Sequence, residues 1–365
     1  MLLQVVKAKT AAGFVPNGAA PTRKSTHSQP PVGSKVLLEM YRRYADVWLV
    51  HLLYADLLDW SNWWDANRRL PPLNMTALGG DDMQVRFPSS PAFSNLRPPS
   101  HAFARPRDGL QAARYESGLD NSPMYDGEFF VGQPPDGYGL MQSYDVGMAS
   151  MVAMSDGALA ELAEIVGRSD DALMLRKRSA DDRAAIDDHL WNAPLSTYSN
   201  RFSNGTFSTR ISPTSFYPML AGAATPERAA TLMSRWLLNA SRFCVAPAGD
   251  FGGNTDSCYW GLPSISADDP AFPALGYWRG YVWGPMALLT YWGLTHPAYA
   301  GVDIVTKART ALCKQMGALF LRQWRLNHHV CENFSPKKDA TECTGMHFYH
   351  WGALASFIGL IDADF

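Results

Sequence analysis

The strongest constraint on this chain is the run from Val36 to Trp60, where Met40, Tyr44, Val47, Val50, Tyr54 and Leu57 recur at three- and four-residue spacing. Apolar residues reach nearly every face, which predicts a buried helix on the inside of a two-layered assembly. The same contrast recurs downstream. Met141 to Val166 reads as an inner helix of small and apolar residues, with Met148, Met151, Val152, Leu159, Leu162 and Ile165. Asp170 to Trp191 reads as an outer one, because Leu175, Ile186 and Leu190 alternate with a wet face of Arg, Lys and Asp. Pro213 to Ala223 is a short buried helix, and Thr225-Pro226 is a start signal for an amphipathic helix carrying Leu232, Trp236 and Leu237. Tyr277 to Thr295 is aromatic and apolar, Val302 to Leu326 amphipathic, and His347 to Ile361 a final apolar helix. No sustained strand alternation interrupts them. The expected fold class is all-α, an α/α toroid of helical hairpins with long loops repeatedly on one side.

Those loops hold the polar chemistry. Thr10 to Lys35 contains Gly13-Phe-Val-Pro16 and Gln29-Pro-Pro-Val-Gly33, and an irregular stretch from Pro71 to Gly139 encloses Glu116-Ser-Gly-Leu-Asp-Asn-Ser-Pro123. Asp120 stands there among hydroxyls, amides and tyrosines, ahead of a proline that disfavours helix before it. The same residues are also ordinary turn chemistry. A second carboxylate, Glu332, lies in Cys331-Glu-Asn-Phe-Ser-Pro336, with Glu342 a nearby competitor. Two carboxylates are the minimum for glycoside hydrolysis, one donating a proton to the leaving oxygen and the other activating water or attacking the sugar.

Composition narrows the alternatives. The 365 residues carry a net charge of −2 with 12 Trp and 15 Tyr, which suits an aromatic-lined pocket. No basic run follows a phosphate backbone, so nucleic acid is not the expected partner. No apolar run is long enough to span a bilayer, and no membrane contact is expected. The start, Met1-Leu-Leu-Gln-Val-Val-Lys-Ala-Lys, lacks the layout of a signal peptide and reads as a helix entered midway. Five cysteines, Cys244, Cys258, Cys313, Cys331 and Cys343, show no Cys-x-x-Cys spacing and are expected to be mainly free buried thiols, although Cys331 and Cys343 bracket a loop and could pair. His328, His329, Cys331 and Cys343 invite a zinc reading, but adjacent histidines point apart, so no metal and no cofactor is expected. Asn74-Met-Thr76, Asn204-Gly-Thr206 and Asn239-Ala-Ser241 fit the glycosylation pattern, while Asn333-Phe-Ser335 is followed by Pro336. An upstream signal segment would make the lumen of the endoplasmic reticulum or the secretory route the location; otherwise it is cytoplasmic.

Glu116-Ser-Gly-Leu-Asp-Asn-Ser-Pro123, Tyr277-Trp-Arg-Gly-Tyr-Val-Trp283, Glu332-Asn-Phe-Ser-Pro336 and Phe348-Tyr-His-Trp-Gly352, in that order, resemble the signatures of glycoside hydrolase family 63. The resemblance covers almost the whole chain, and Gly13-Phe-Val-Pro and Gln29-Pro-Pro-Val extend it forward. It implies an (α/α)6 barrel and an inverting exo-α-glycosidase that removes glucose or mannose from an oligosaccharide or small glycoside. Asp120 is then the general acid and Glu332 the general base, with carboxyls roughly 6.5 to 9.5 Å apart. Aromatic walls of Trp278, Trp283, Tyr349 and Trp351 would raise the pKa of the acid. Gln29, Glu116, Asn121, Tyr277, Arg279 and His350 complete the expected substrate contacts, although Arg279 could equally hold a loop by a salt bridge, and Trp278 and Trp283, five residues apart, do not share one helical face. The family's β-rich N-terminal domain and early Trp-Asp loop are absent, so residues 1–365 are expected to be one catalytic domain incomplete at its N-terminus. A trehalase-like glycosidase and an inactive carbohydrate-binding relative are the alternatives.

Overall fold

The apolar run from Val36 to Trp60 folds as two helices rather than one in the computed structural model of the chain. The structure describes residues 1–20, 23–24, 27–79, 109–127, 139–245, 259–337, 343–347 and 349–363. After α1 (Leu2–Lys7), α2 spans Gly33–Tyr44 and α3 spans Val47–Asn67. Ala45 breaks the run in a left-handed conformation, φ 54°, with its N–H donating to the carbonyl of Tyr41. No glycine or proline marks the break, so periodicity runs straight through it. Exposure corrects the expectation that this segment is buried all round. Leu53, Leu57, Trp60 and Trp64 are in the core, while Tyr44 and Trp48 are 62% and 59% exposed.

The chain forms two compact units. The first comprises Met1–Asp120, Gly127–Tyr144 and Ser155–Arg178. Its core is α3 packed on α1 and α2. A helix hidden in the stretch read as irregular, α4 (Gly109–Ser117), belongs to it as well. A short antiparallel ladder pairs Arg69–Leu70 with Met75–Thr76. Arg68, which follows α3, is 2% exposed and donates from Nε and Nη2 to the two carboxylate oxygens of Glu116 at 2.7 and 2.9 Å. The N–H of Gly79 adds a third bond to Glu116, 2.8 Å, and Arg68 also lies over the Trp63 ring. A buried ion pair of this geometry is tolerable because its charges are met by each other and by further donors.

The second unit comprises Asn121–Asp126, Asp145–Met154 and Ser179–Phe365. Helices α5 (Val146–Ile165) and α6 (Ser169–Leu190) divide between the two units. In α7 (Pro226–Leu232) the start signal is realised, since the Thr225 hydroxyl accepts from the N–H of Arg228 and Pro226 occupies the first helical position. A π-helical turn, Met233–Leu237, continues it and buries Trp236 and Leu237 as expected. The Pro213–Ala223 segment is a buried 3-10 helix over Pro213–Met219. Helix α8 (Gly284–Leu294), helix α9 (Asp303–Asn327) and helix α10 (His350–Asp362) pack mutually. Two boundaries move. Tyr277–Trp283 is a loop before α8, and His347 belongs to a hairpin that precedes α10.

That hairpin is the second correction. The segment Asn327 to Met346, read as a loop, contains an antiparallel pair, Cys331–Phe334 with Cys343–His347, irregular between Thr344 and His347. All four residues of its first strand are buried, so the run has no polar face to alternate with and no period-2 signal. The remaining strands are two-residue ladders, and the described residues are mostly helical.

Candidate active site

Glu332 sits on the first strand of the hairpin and is 7% exposed. Each of its oxygens meets one donor: the Tyr277 hydroxyl donates to Oε1 at 3.0 Å and the Met346 N–H to Oε2 at 2.7 Å. Sequence reading missed the residue that makes this possible. Gly345 is at φ 74°, and a Cβ placed there would overlap Glu332 Oε2. A glycine within a strand is the signal for such a bulge or close approach. Beneath the strand, a Cβ on Gly352 would collide with the carbonyl of Cys331, so the start of α10 rests directly on the backbone that carries Glu332.

The Tyr277 loop is tied to the same strand. Val282 and Phe334 exchange two backbone bonds, 2.8 and 3.0 Å. Gly276 and Arg279 close a tight turn whose first central residue, Tyr277, takes φ 58°. Asn121 clamps that turn, its Oδ1 accepting from the N–H of Trp278 at 2.8 Å and its Nδ2 donating to the carbonyl of Gly276 at 3.1 Å. Arg279 adds a bidentate pair with Asp126, 3.1 and 2.7 Å, and a bond to the carbonyl of Asn121. The loop-holding role foreseen for Arg279 is the one these bonds describe. Its guanidinium pKa is raised, foremost by the hydrogen bond to Asp126.

Because the loop is not helical, the five-residue spacing of Trp278 and Trp283 imposes no separation. Their rings stack at 3.7 Å with a 6° tilt, and both are buried, at 2% and 0% exposure. Trp283 donates to the carbonyl of Tyr277 at 3.2 Å. Trp351 meets both indoles edge-on, and Tyr349 meets Trp351 at 5.5 Å. The two stacked tryptophans thus back the Tyr277 turn, while Tyr349 and Trp351 are half-buried and His350 exposed. Phe348 and the competing carboxylate Glu342 lie outside the described residues.

Asp120 and Gln29 belong to the first unit. Helix α4 ends with Gly118 at φ 74°, and its Ser117 hydroxyl accepts from the N–H of Leu119, placing Asp120 in the turn that follows. Gln111 donates to the Asp120 carbonyl at 2.8 Å. Burial first, and then the Asp120 charge, raise the pKa of the Tyr115 phenol. The Gln29 loop lies against this turn, with Pro30 beside Gly118. Asn17 donates to the Tyr115 carbonyl, and the His27 ring faces Tyr115. Glu116, by contrast, has its carboxylate occupied by Arg68 and Gly79.

A further buried carboxylate in the second unit, Asp145, went unmarked although an aspartate just ahead of an apolar helix is a helix-start signal. It accepts from the Tyr125 hydroxyl at 2.9 Å, from Asn200 at 3.2 Å and from the N–H of Met148 at 2.8 Å, and burial raises its pKa. The zinc reading fails on Cys331, which is disulfide-bonded and so supplies no thiolate. Cys244 is disulfide-bonded too, which corrects the expectation of free thiols; among the described residues Cys313 is free, its thiol pushed up to about 12 by burial. No group of three metal-binding side chains and no helix long and apolar enough to cross a membrane occurs among the described residues.

Solved structures share this fold. An uncharacterized conserved protein from Thermus thermophilus superposes with a TM-score of 0.68 at 18% identity, covering 98% of this chain and 86% of that one. The GH63 mannosylglycerate hydrolase of the same organism, in complex with glucose, gives 0.66 at 17% with the same coverage. The neutral trehalase Nth1 of Saccharomyces cerevisiae gives 0.61 at 14%, covering 92% of this chain and 62% of that one. The fold class is accordingly that of the (α/α)6 toroid glycosidases, as expected from the sequence. Residues 2–351 match the mannosylglycerate hydrolase MGH1-like glycoside hydrolase domain, and the chain belongs to that family. Mannosylglycerate hydrolases MGH1 and MGH2 of Selaginella moellendorffii are each 33% identical over 82 residues, a match spanning 22% of this chain and 13% of theirs.

Proposed function

We infer that the chain is an inverting exo-α-glycosidase acting on a hexose, glucose or mannose, α-linked to a small hydroxy acid of the glycerate type. Glu332 is the general base. It takes a proton from the water that attacks the anomeric carbon, while Asp120 donates its proton to the departing glycosidic oxygen. The observation that carries this reading is the seating of Glu332, a buried carboxylate with each oxygen fixed by a single donor. General bases act through a fixed geometry toward the proton they remove, and two orienting donors on separate segments supply one. Asn121, Arg279 and the stacked Trp278 and Trp283 hold the Tyr277 turn, whereas Gln29, Tyr349, His350 and Trp351 are the contacts left for sugar and aglycone. Glu116 acts through its pairing with Arg68, keeping the end of α4 and hence the Asp120 turn in place. Substrate class is supported by relatives: the Thermus enzyme was solved with glucose, and with Tris and D-glycerate.

The test is hydrolysis of mannosylglycerate, glucosylglycerate, trehalose and a set of α-linked gluco- and manno-disaccharides, with the anomer released read by NMR. A β-hexose from a glycerate glycoside, lost in Asp120→Asn and in Glu332→Gln by a factor of at least about 10², is the expected result. The α-anomer, or activity indifferent to both substitutions, would sink the assignment; trehalose as the sole substrate would move the chain toward the trehalases.

A further inference from the structure

Four asparagines begin an Asn-x-Ser/Thr triplet, and the structure sorts them. Asn333 is 0% exposed on a strand and is followed, one residue past its serine, by Pro336. Asn74 is exposed in a turn, but its Thr76 is 2% exposed within a ladder. Asn204 and Asn239 differ from both. Asn204 is exposed in a turn, and its Oδ1 accepts from the N–H of Thr206 at 2.9 Å and from the Thr206 hydroxyl at 2.7 Å. Asn239, half-buried beside exposed Ala240 and Ser241, repeats the arrangement with the Ser241 N–H at 3.0 Å and hydroxyl at 2.8 Å. In both, the third residue of the triplet is bonded to the amide oxygen, which leaves the amide nitrogen facing away from its own turn.

A second observation is independent of these turns. Cys244 and Cys331 each take part in a disulfide, both at 0% exposure, and Cys331 adjoins Glu332. Disulfides form and persist in oxidising compartments and are rare where glutathione and thioredoxin keep thiols reduced. Asparagine glycosylation takes place in the same kind of compartment and selects surface loops.

We propose that Asn204 and Asn239 are N-glycosylation sites of a protein that matures in an oxidising, glycosylating compartment. The co-reactant is an oligosaccharide carried on a polyprenyl pyrophosphate. The Nδ2 of asparagine bonds to the anomeric carbon, the bond from that carbon to the pyrophosphate oxygen breaks, the pyrophosphate leaves with the electron pair, and the amide gives up one proton. Asn333 stays bare, because a glycan there would have to displace the hairpin that holds Glu332.

The experiment directs the full chain through the secretory route of a eukaryotic host behind an added leader. Intact mass is measured before and after an N-glycan-releasing amidase, and peptides are mapped for the asparagine-to-aspartate change left by release. Expected are modification at Asn204 and Asn239, none at Asn333, loss of one glycan increment in Asn204→Gln and one in Asn239→Gln, and alkylation of Cys244 and Cys331 only after reduction. The unfolding temperature of Asn204→Gln, measured alongside, should match the parent chain. Secreted folded protein bare at both asparagines would overturn the glycosylation sites. Protein made in a reducing cytosol, with Cys244 and Cys331 alkylated as thiols yet unfolding at the same temperature as the secreted form, would overturn the oxidising compartment.

Discussion

The hydroxyl of Tyr277 reaches Oε1 of Glu332 at 3.0 Å from a backbone held at φ 58°, a left-handed conformation that a bulky residue rarely adopts. Asn121, Gly276, Arg279 and Asp126 over-determine that turn, and strain that persists under such constraint is often found at working sites. Removing the hydroxyl alone should therefore separate orientation from folding. Tyr277→Phe is expected to lower the unfolding free energy by no more than about 3 kcal/mol, the worth of a hydrogen bond to a charged group, while kcat falls by roughly 10- to 100-fold because the base is no longer held in place, with KM little changed. Steady-state kinetics on the best substrate of the panel, together with urea unfolding, checks this; an unchanged kcat would remove Tyr277 from the orienting role.

Gly345 offers a steric test of the same carboxylate. A Cβ there overlaps Glu332 Oε2 and must also accept φ 74°. Gly345→Ala should cost about 1 kcal/mol or more in stability and should lower kcat by more than the stability loss accounts for, because the carboxylate itself has to move. If activity survives with only the stability penalty, the carboxylate has relocated without consequence and its seating is not what matters.

The Arg68 and Glu116 pair predicts a thermodynamic asymmetry. Arg68→Met leaves a carboxylate at 1% exposure facing one N–H, and breaking a buried pair from one side typically costs about 3 to 5 kcal/mol. Arg68→Met combined with Glu116→Gln should recover a good part of that loss, since the lone charge is gone. Urea denaturation of the two single variants and the double variant forms the cycle; additive losses would contradict the coupling.

Asp145 should leave its mark on stability as a function of pH. Burial raises its pKa in the folded chain above the ordinary carboxylate value, so the native state holds a proton that the unfolded chain has already released. That contribution is fully present below the unfolded value of about 4 and is lost as pH rises through the folded one. Asp145→Asn cannot release a proton. It should start less stable, for want of an acceptor toward Tyr125 and Asn200, and the gap to the parent chain should narrow as pH rises from 4. Unfolding free energies measured across that range decide it, and a gap that widens with pH would reverse the assigned direction.

What the sequence by itself determined is the helical scaffold and the identity of the loop residues. Thr225-Pro226 started a helix where expected, and the Pro213 segment was buried as its composition implied, because capping, proline geometry and apolar periodicity act within a few residues. Ordered motifs around Asp120 and Glu332 carried the family. The break at Ala45 and the hairpin under Glu332 were decided by tertiary structure, whereas the start of α8 was marked locally by Pro285 in its first turn. Neither the break nor the hairpin carries a local signal strong enough: Ala45 has no helix-breaking chemistry, and a strand with all four residues buried has no polar face to alternate with. The site follows the same division. Asp145, Arg68 and Gly345 are ordinary residues in sequence. They acquire their roles from partners reached only by folding, since a buried carboxylate, a desolvated guanidinium and a missing Cβ matter only once the surrounding elements have closed on them.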